Sequence, residues 1–451
     1  MNIIIVGCGK VGETLAEQLN EEGNNITVVD VSAKCVEEIS TRFDVMGVVG
    51  NGATHTTQEE AGIDKADLLI AVTGSDELNL LCCITAKRSA NCRTIARVKN
   101  PSYSAEATYL KNELGLAMVI NPEHATAAEI SRVLRFPSAI KIETFAKGRV
   151  ELLKFRLPEN SPLVGMSVKD TVIKLRCDVL VCTVERGDEA YIANGDFVFN
   201  GKDVISIIAS PKSAQDFFEK INYNTQAVKS VIIAGGGDTT HYLCNILEKT
   251  GMSVKVIEKR MERCKDICDK WKNVAVINGD ASDRELLLEE GIDRAGAFVA
   301  LTGIDEENIL LSLYAKGVSD AKLITKINRM DYDDIIRRLD LDSTVVPKNI
   351  TSDIIVRYAR AMKNTVGSNM ETFYSVIKGK VEASEFVIRE SSAITDTPLA
   401  ELKFKDNILI AAILRDGNVK IPRGYDMILP GDAVVIVSAA MGLHDICDVL
   451  R

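Results

Sequence analysis

Residues 3–12 read Ile-Ile-Ile-Val-Gly-Cys-Gly-Lys-Val-Gly, an apolar run that breaks into Gly7-x-Gly9-x-x-Gly12. Four apolar residues in succession predict a strand buried on both faces. The glycines predict a tight turn into a helix. Gly7 permits the turn, Gly9 lets a phosphate approach the backbone, and Gly12 lets helix and strand pack closely. Cys8, Lys10 and Val11 complete the loop, and the helix start offers free N–H groups and partial positive charge to a pyrophosphate. Asp30 lies 18 residues beyond Gly12, after the apolar run Ile26–Val29. A carboxylate at that place accepts both adenosine ribose hydroxyls and repels a 2′-phosphate, which favours NAD over NADP.

The pattern then returns. Residues 231–240 read Val-Ile-Ile-Ala-Gly-Gly-Gly-Asp-Thr-Thr. Glu258 answers Asp30, Gly279-Asp280-Ala281 answers Gly50-Asn51-Gly52, and Thr302-Gly303-Ile304-Asp305-Glu306 answers Thr73-Gly74-Ser75-Asp76-Glu77. The offset is 228 residues at the glycine loops and 229 later, so one inserted residue separates the copies. The second loop is altered: Gly235 and Gly237 remain, but Thr240 replaces the third glycine, and Asp238 and Thr239 open the helix. The Thr240 hydroxyl is expected to cap that helix or meet a phosphate, and Asp238 sets a negative charge beside the loop. Asp280 is placed to contact an adenine amino group. Asn51, Gly52 and Ala53 hold the corresponding place in the first copy and leave backbone contacts. Arg97 and Lys326, late on the fifth strands, read either as phosphate or carboxylate partners or as solvated edge charges.

Between these landmarks, short apolar runs alternate with amphipathic stretches: Ile3–Val6, Ile26–Val29, Val45–Val49, Leu68–Ala71, Thr94–Val98 and Met118–Ile120, with helical patterns over Glu13–Glu21 and Leu78–Ser89. This succession predicts right-handed crossovers and a doubly wound parallel sheet. Asn121-Pro122 breaks the rhythm, and a helix over Ala125–Leu134 stops before Phe136-Pro137. The character then changes to antiparallel β: a hairpin of Ala139–Phe145 and Val150–Phe155 about Lys147-Gly148-Arg149, a short helix at Val168–Lys174, and strands at Asp178–Val184, Glu189–Ala193 and Val204–Ile208. The same small module is expected element by element after the second copy, at Thr372–Ile377, a Lys378-Gly379-Lys380 turn, Val387-Ile388, Ile408–Leu414, Val419–Ile421 and Ala433–Val437. The polar run Asn222–Gln226 reads as a linker. The expected order is therefore two Rossmann-like doubly wound parallel-sheet domains (1–136 and 228–365), each followed by a small α+β module with antiparallel strands (137–221 and 366–451).

Composition narrows function. A net charge of −10 without a Lys/Arg cluster argues against nucleic acid as a partner. No apolar run approaches the roughly 20 residues that cross a bilayer, and no basic, cleavable leader precedes the first strand. Eleven cysteines are scattered through apolar segments and read as small hydrophobes in a reducing cytoplasm. Cys264 and Cys268 share a helix face without a completing pair, so no metal site is expected. Asp331, Asp333 and Asp334 read as a solvated helix start.

With these residues in hand, the chain resembles the tandem RCK family, regulators of K⁺ conductance, in its version that serves Trk potassium uptake systems. The resemblance rests on the glycine loop with Asp30, the Gly-Asp-Ala position, the Thr-x-x-Asp-Glu segments and the fourfold domain order, and it covers nearly the whole chain. It implies a non-enzymatic cytoplasmic subunit, peripheral at the inner face of the cell membrane. Such a subunit assembles as a ring, a tetramer, on a TrkH-type potassium-translocating membrane subunit and gates it. It implies NAD(H) at the first domain, and NAD(H) or ATP/ADP at the second. A standalone nucleotide sensor differs only in its partner. An NAD-dependent dehydrogenase needs a proton donor or acceptor beside the nicotinamide. Of the four histidines, His55, His124, His241 and His444, the first two fall near the ligand edge, without an evident catalytic partner.

Overall fold

A computed structural model describes the whole chain except residues 138, 188, 222, 224–227, 329–338, 340, 364–369, 378–379, 440–442 and 444. Of the expected linker only Tyr223 is therefore described. The Lys378-Gly379 half of the second hairpin turn, Asp331, Asp333, Asp334 and His444 also lie outside the described residues. The chain divides into two compact units, each built from two segments: Met1–Ser131 with Lys229–Ala359, and Arg132–Val228 with Arg360–Arg451.

In chain order, β1 (Asn2–Val6), β2 (Asn25–Asp30), β3 (Met46–Val49), β4 (Leu68–Ala71), β5 (Arg93–Arg97) and β6 (Met118–Ile120) form the first sheet. The second contains β7 (Lys141–Phe145), β8 (Val150–Arg156), β9 (Val179–Arg186), β10 (Glu189–Ile192) and β11 (Val204–Ala209). The third contains β12 (Ser230–Ala234), β13 (Ser253–Glu258), β14 (Val274–Asn278), β15 (Ala297–Ala300), β16 (Lys322–Lys326) and β17 (Ser343–Val345). The fourth contains β18 (Met370–Ile377), β19 (Val381–Val387), β20 (Ile408–Arg415), β21 (Asn418–Lys420) and β22 (Ala433–Ser438).

The first unit holds the two parallel sheets, ordered β3-β2-β1-β4-β5-β6 and β14-β13-β12-β15-β16-β17. Their centres are apolar at every position, and β4 and β15 are wholly buried. Each order reverses between the first and fourth strands of its domain, which opens a crevice at the carboxyl edge. Leu15, Ala16 and Leu19 of the Lys10–Glu21 helix bury one face of that element. The helix after β6 begins at Pro122, not at Ala125. Proline fits the first helical turn, where its missing N–H costs nothing.

The second unit holds the two antiparallel sheets, ordered β10-β9-β11-β8-β7 and β18-β19-β22-β20-β21, the same topology twice. Alternation along each strand explains how they pack. Leu153, Phe155 and Ile207 face a core closed by Phe217 and Phe218 of the Pro211–Lys220 helix. Leu152, Cys182 and Ile208 face the other way, into a core shared with Val376, Ala383, Ala412 and Val437 of the second module. The Tyr374 hydroxyl donates to the Thr144 carbonyl at 2.9 Å, and the Ala146 N–H to the Glu385 carboxylate at 3.1 Å. Both faces of the first module's sheet are therefore covered.

The repeat is not complete. β19 covers Val381–Val387, well beyond the Val387-Ile388 pair expected, and the Val168–Leu175 helix has no counterpart between β19 and β20. That segment makes one turn, with the Glu401 N–H on the Pro398 carbonyl. It is then held by the chain end: the Lys405 N–H donates to the Val449 carbonyl, and Arg451 N–H to Lys403. Tertiary pairing overrides the local helix propensity of Leu399–Leu402. One polar device is kept faithfully. Arg186 grips Asp203 with Nε and Nη2, both at 2.8 Å, and Arg415 grips Asp432 at 2.8 and 2.7 Å; both carboxylates are almost fully buried. Removing the guanidinium leaves a buried carboxylate short of its charged partner. Arg415→Ala and Arg186→Ala are each expected to cost about 2–3 kcal/mol, read as matched drops in the denaturant midpoint of the second unit.

Candidate nucleotide-binding loops

Both glycine loops sit at the crevices just described, and the three glycines do different work. Gly7 adopts φ +109°, and a Cβ on it would lie 2.9 Å from the Thr73 nitrogen. A Cβ on Gly12 would lie 1.9 Å from the Gly7 carbonyl oxygen. These two are demanded by packing. Gly9 is not: a Cβ there meets nothing within 4 Å. The same is true of Gly237, while Gly235, at φ +103°, is crowded by the Leu301 carbonyl. Neither Gly9 nor Gly237 caps its helix with a side chain, so the first N–H groups of both helices face the crevice. An open middle glycine above uncapped N–H groups is the shape an anionic phosphate fills.

Each loop is tied to the acid at the end of the neighbouring strand. The Cys8 N–H donates to Asp30 Oδ2 at 2.7 Å, and Ser32 N–H to Oδ1 at 2.9 Å. The Gly236 N–H donates to Glu258 Oε2 at 2.7 Å, and Arg260 N–H to Oε1 at 2.7 Å, with Arg260 Nε at 3.3 Å. Burial pushes the Glu258 carboxyl up, but the two main-chain donors and the guanidinium together outweigh it and hold it below the usual range. Burial, reinforced by Asp30 and Cys35, pushes the Cys8 thiol up to about 12, so it stays protonated and unreactive.

Other expected residues take more structural parts. Asn51 accepts the Ala53 N–H at 3.0 Å, and Asp280 accepts the Ser282 N–H at 2.9 Å and its hydroxyl at 2.8 Å. Both are exposed side chains that first serve their own turn. A Cβ on Gly279 would lie 2.4 Å from the end of the Leu286 side chain, which would have to turn aside. Gly52 and Ala281 differ for a packing reason. A Cβ on Gly52 would strike Val6 at 2.3 Å, whereas Ala234, the smaller equivalent of Val6, leaves room for Ala281. Thr240 fits where Gly12 stands by donating its hydroxyl to the Gly235 carbonyl at 2.5 Å. It does not cap the helix, because its hydroxyl is spent on that carbonyl. Thr239 is buried, and Asp238 is offset by Arg263 at 3.3 Å.

The Thr73 and Thr302 segments prove to be clamps. Thr73 N–H and hydroxyl both donate to Asn79 Oδ1, at 2.8 and 2.7 Å, and Asn79 Nδ2 donates to the Arg97 carbonyl at 2.9 Å. Thr302, Asn308 and the Lys326 carbonyl repeat this, with bonds of 2.8, 2.8 and 3.0 Å. Both asparagines are fully buried. They were missed in the sequence, although Thr-Gly-x-Asp-Glu-x-Asn recurs at the common offset and carried the signal. Arg97 and Lys326 are not solvated edge charges. Arg97 Nη2 donates to the Thr73 carbonyl at 2.5 Å, while its buried Nε has no hydrogen-bond partner. Lys326 Nζ donates to the Leu301 carbonyl at 3.2 Å. Burial lowers both pKa values, against the pull of Glu123.

Two cavities result, both of a size that holds a small ligand. Gly9, Lys10 and Val11 open on one of ≈ 480 Å³, lined also by Arg97, Lys99 and, from the second domain, Gly303–Asp305. Gly235–Gly237, Glu258–Arg260 and Asp280 line the other, of ≈ 430 Å³. His55 is engaged with Ser89 at 3.1 Å and Glu59 at 3.4 Å, and His124 packs edge-on against Tyr242. Among the described residues no His/Cys/Asp/Glu group could hold a metal, and no helix is long and apolar enough to cross a membrane.

Residues 3–122 and 231–347 match the TrkA-N domain, and residues 152–222 and 383–451 match the TrkA-C domain. The chain belongs to the TrkA family. It is 32% identical to Trk system potassium uptake protein TrkA homolog 1 of Methanosarcina mazei over 99% of both chains. It is 30% identical to TrkA of Halomonas elongata, over 97% of this chain and 95% of that one. Among solved structures, the GsuK channel, which is also known bound to NAD, shares the fold with a TM-score of 0.64 at 17% identity. The match covers 97% of this chain and 77% of the channel chain. These relatives are Trk system potassium uptake proteins, and the family is not one of enzymes.

The packing role of the third glycine is directly measurable. Gly12→Ala, which forces its Cβ onto the Gly7 carbonyl, is expected to cost about 1–3 kcal/mol, read by thermal unfolding, whereas Gly9→Ala leaves the melting temperature unchanged. Glu258 supplies a pH signature. Its carboxyl is held low in the folded chain, so its contribution is present above the ordinary value of 4.5 and is lost as pH falls below it. Glu258→Gln is therefore expected to flatten the acid limb of the stability–pH profile, followed by denaturant titration from neutral pH downward.

Proposed function

We propose that the chain is a nucleotide-binding regulatory subunit that gates a TrkH-type potassium-translocating membrane partner. The observation that carries this reading is the first loop, where an open Gly9, uncapped N–H groups and a half-buried Asp30 meet at the switch point of a doubly wound sheet. NAD(H) occupies that loop, with its pyrophosphate at residues 7–12 and its adenosine ribose at Asp30. The second loop takes NAD(H) or an adenine nucleotide such as ATP or ADP.

The cavity at the first loop is lined by both Rossmann-like domains, so a ligand there touches residues of each. A ligand shifts an equilibrium only by the difference in its affinity for the two states. Contacts across two domains are a source of such a difference. Several subunits in a ring, a tetramer at the inner face of the membrane, would add modest preferences into a switch, each coupling worth about 1–3 kcal/mol.

The test has two readouts. Titration of the purified full chain with NAD⁺, NADH, ATP and ADP is expected to show binding that Gly9→Val or Asp30→Ala removes from the first loop. Potassium flux through the membrane partner in vesicles should then respond to nucleotide with the unaltered subunit and not with Gly9→Val. Absence of nucleotide binding, or flux that ignores bound nucleotide, overturns the reading.

A further inference from the structure

We infer that the second glycine loop prefers an adenine nucleotide bearing a 2′-phosphate, of the NADP(H) class, while the first prefers an unphosphorylated ribose. The inference rests on the reading that both loops bind nucleotide. It turns on what each domain presents at the ribose end.

At the first loop the residues after β2 are Asp30, Val31 and Ser32. The Asp30 carboxylate is half-buried, and the two residues after it carry no charge. Asn51 opposite is also uncharged. A ribose there meets an acceptor for its hydroxyls and one negative charge, which disfavours a phosphate.

At the second loop the same positions are Glu258, Lys259 and Arg260. The Glu258 side chain is only 7% exposed, whereas that of Arg260 is 62% exposed and lies against it. Oε2 holds the Gly236 N–H, and Oε1 holds both the Arg260 N–H and its Nε. The acid is thus more deeply buried than Asp30, and the exposed Arg260 guanidinium lines the ≈ 430 Å³ cavity beside it. Lys259 lines the same cavity and lowers the Asp280 carboxyl from across it, after the Ser282 N–H and hydroxyl. Lys259, Arg260 and Lys326 balance Glu258, Asp280 and Glu307 along that cavity, and of these acids Glu258 is the buried one. An exposed guanidinium engages phosphate through paired N–H donors, and an ammonium beside it adds a point charge. An arginine following the second strand of such a fold is the group that accommodates a 2′-phosphate. The loop phosphates do not compete for it, because they sit at the helix start beyond Gly237.

The test uses full-length protein carrying Gly9→Val, so that binding reports the second loop, and titrates NAD⁺ and NADP⁺ separately. NADP⁺ is expected to bind roughly tenfold or more tightly than NAD⁺. Adding Lys259→Val and Arg260→Ser, the residues of the first copy, is expected to abolish that preference. In a Gly237→Val protein, which reports the first loop, NAD⁺ should be preferred. NAD⁺ binding as well as NADP⁺ in the Gly9→Val protein, a preference that survives the double exchange, or no binding there at all would each overturn the inference. In all three cases NAD⁺ binding at the first loop would stand. Failure of the unaltered protein to bind any nucleotide would instead overturn the proposed function itself.

Discussion

The carboxyl edge of each parallel sheet is organised by one hydrogen bond, from a glycine-loop N–H to the acid ending the neighbouring strand. Cys8 to Asp30 and Gly236 to Glu258 are charge-assisted bonds at 2.7 Å, about twice the strength of neutral ones. The bond fixes the loop over the end of its own strand, and the helix that follows then starts with its free N–H groups in the crevice. A second bond returns the acid's other oxygen to the chain just after it, at Ser32 or Arg260. A carboxylate has about four acceptor positions, so neither pair of bonds exhausts it. In the first copy the acid stays half-buried. In the second, with one more methylene, the acid is only 7% exposed and Arg260 Nε lies 3.3 Å from it. The two sites diverge through a change in side-chain length and one neighbouring residue, with no change in the fold.

The opposite wall of each crevice is held by the Thr-Gly-x-Asp-Glu-x-Asn clamp. Asn79 draws the end of β4 and the end of β5 together, and Asp76 accepts the N–H groups of Lys99 and Asn100 at 2.9 and 2.8 Å. Asn308 and Asp305 repeat the arrangement, with the Asn328 N–H on Asp305 at 2.9 Å. A buried asparagine and a buried aspartate cost free energy unless every polar atom is matched, and here they are matched by main chain. That makes the wall rigid and places Arg97 and Lys326 where only their outward atoms can respond to a ligand.

Much of this was legible in the sequence because its causes are local. The glycine spacing, the acid at the end of the next strand and the unbroken apolar runs each follow from one segment's own geometry. The parts that escaped depend on what is folded against them. Thr240 suggests a helix cap until the Gly235 carbonyl is seen beside its hydroxyl. Leu399–Leu402 has the residues of a helix, but the chain end at Val449–Arg451 claims the segment after one turn. Gly52 and Ala281 look like drift until Val6 and Ala234 show that a methyl group moved from strand to loop. Glu258 looks like a copy of Asp30, and only the folded chain shows its deeper burial and its contact with Arg260.

The duplication has a further consequence within the parallel-sheet unit. Gly9 and Lys10 share a cavity with Gly303–Asp305, and Asp238 shares one of ≈ 600 Å³ with Gly74–Glu77, so each loop faces the other domain's clamp. Arg93 Nη1 of the first domain donates to the Tyr358 hydroxyl of the second at 3.2 Å, and a second tether between the domains is centred on Tyr242. The Tyr242 hydroxyl accepts from Asn121 Nδ2 at 2.9 Å and donates to the Lys99 carbonyl at 3.2 Å, with the His124 ring against it. The first copy places Thr14 where Tyr242 stands, and its hydroxyl turns back to the Lys10 carbonyl of its own helix. Two neutral hydrogen bonds contribute about 1 kcal/mol each, the same order as a typical allosteric coupling. Under the proposed function, a ligand on the first loop would work against a tether of comparable strength that the first copy does not repeat. Two unequal loops joined by such a tether would, on that reading, respond differently to the same nucleotide, which identical loops joined symmetrically would not.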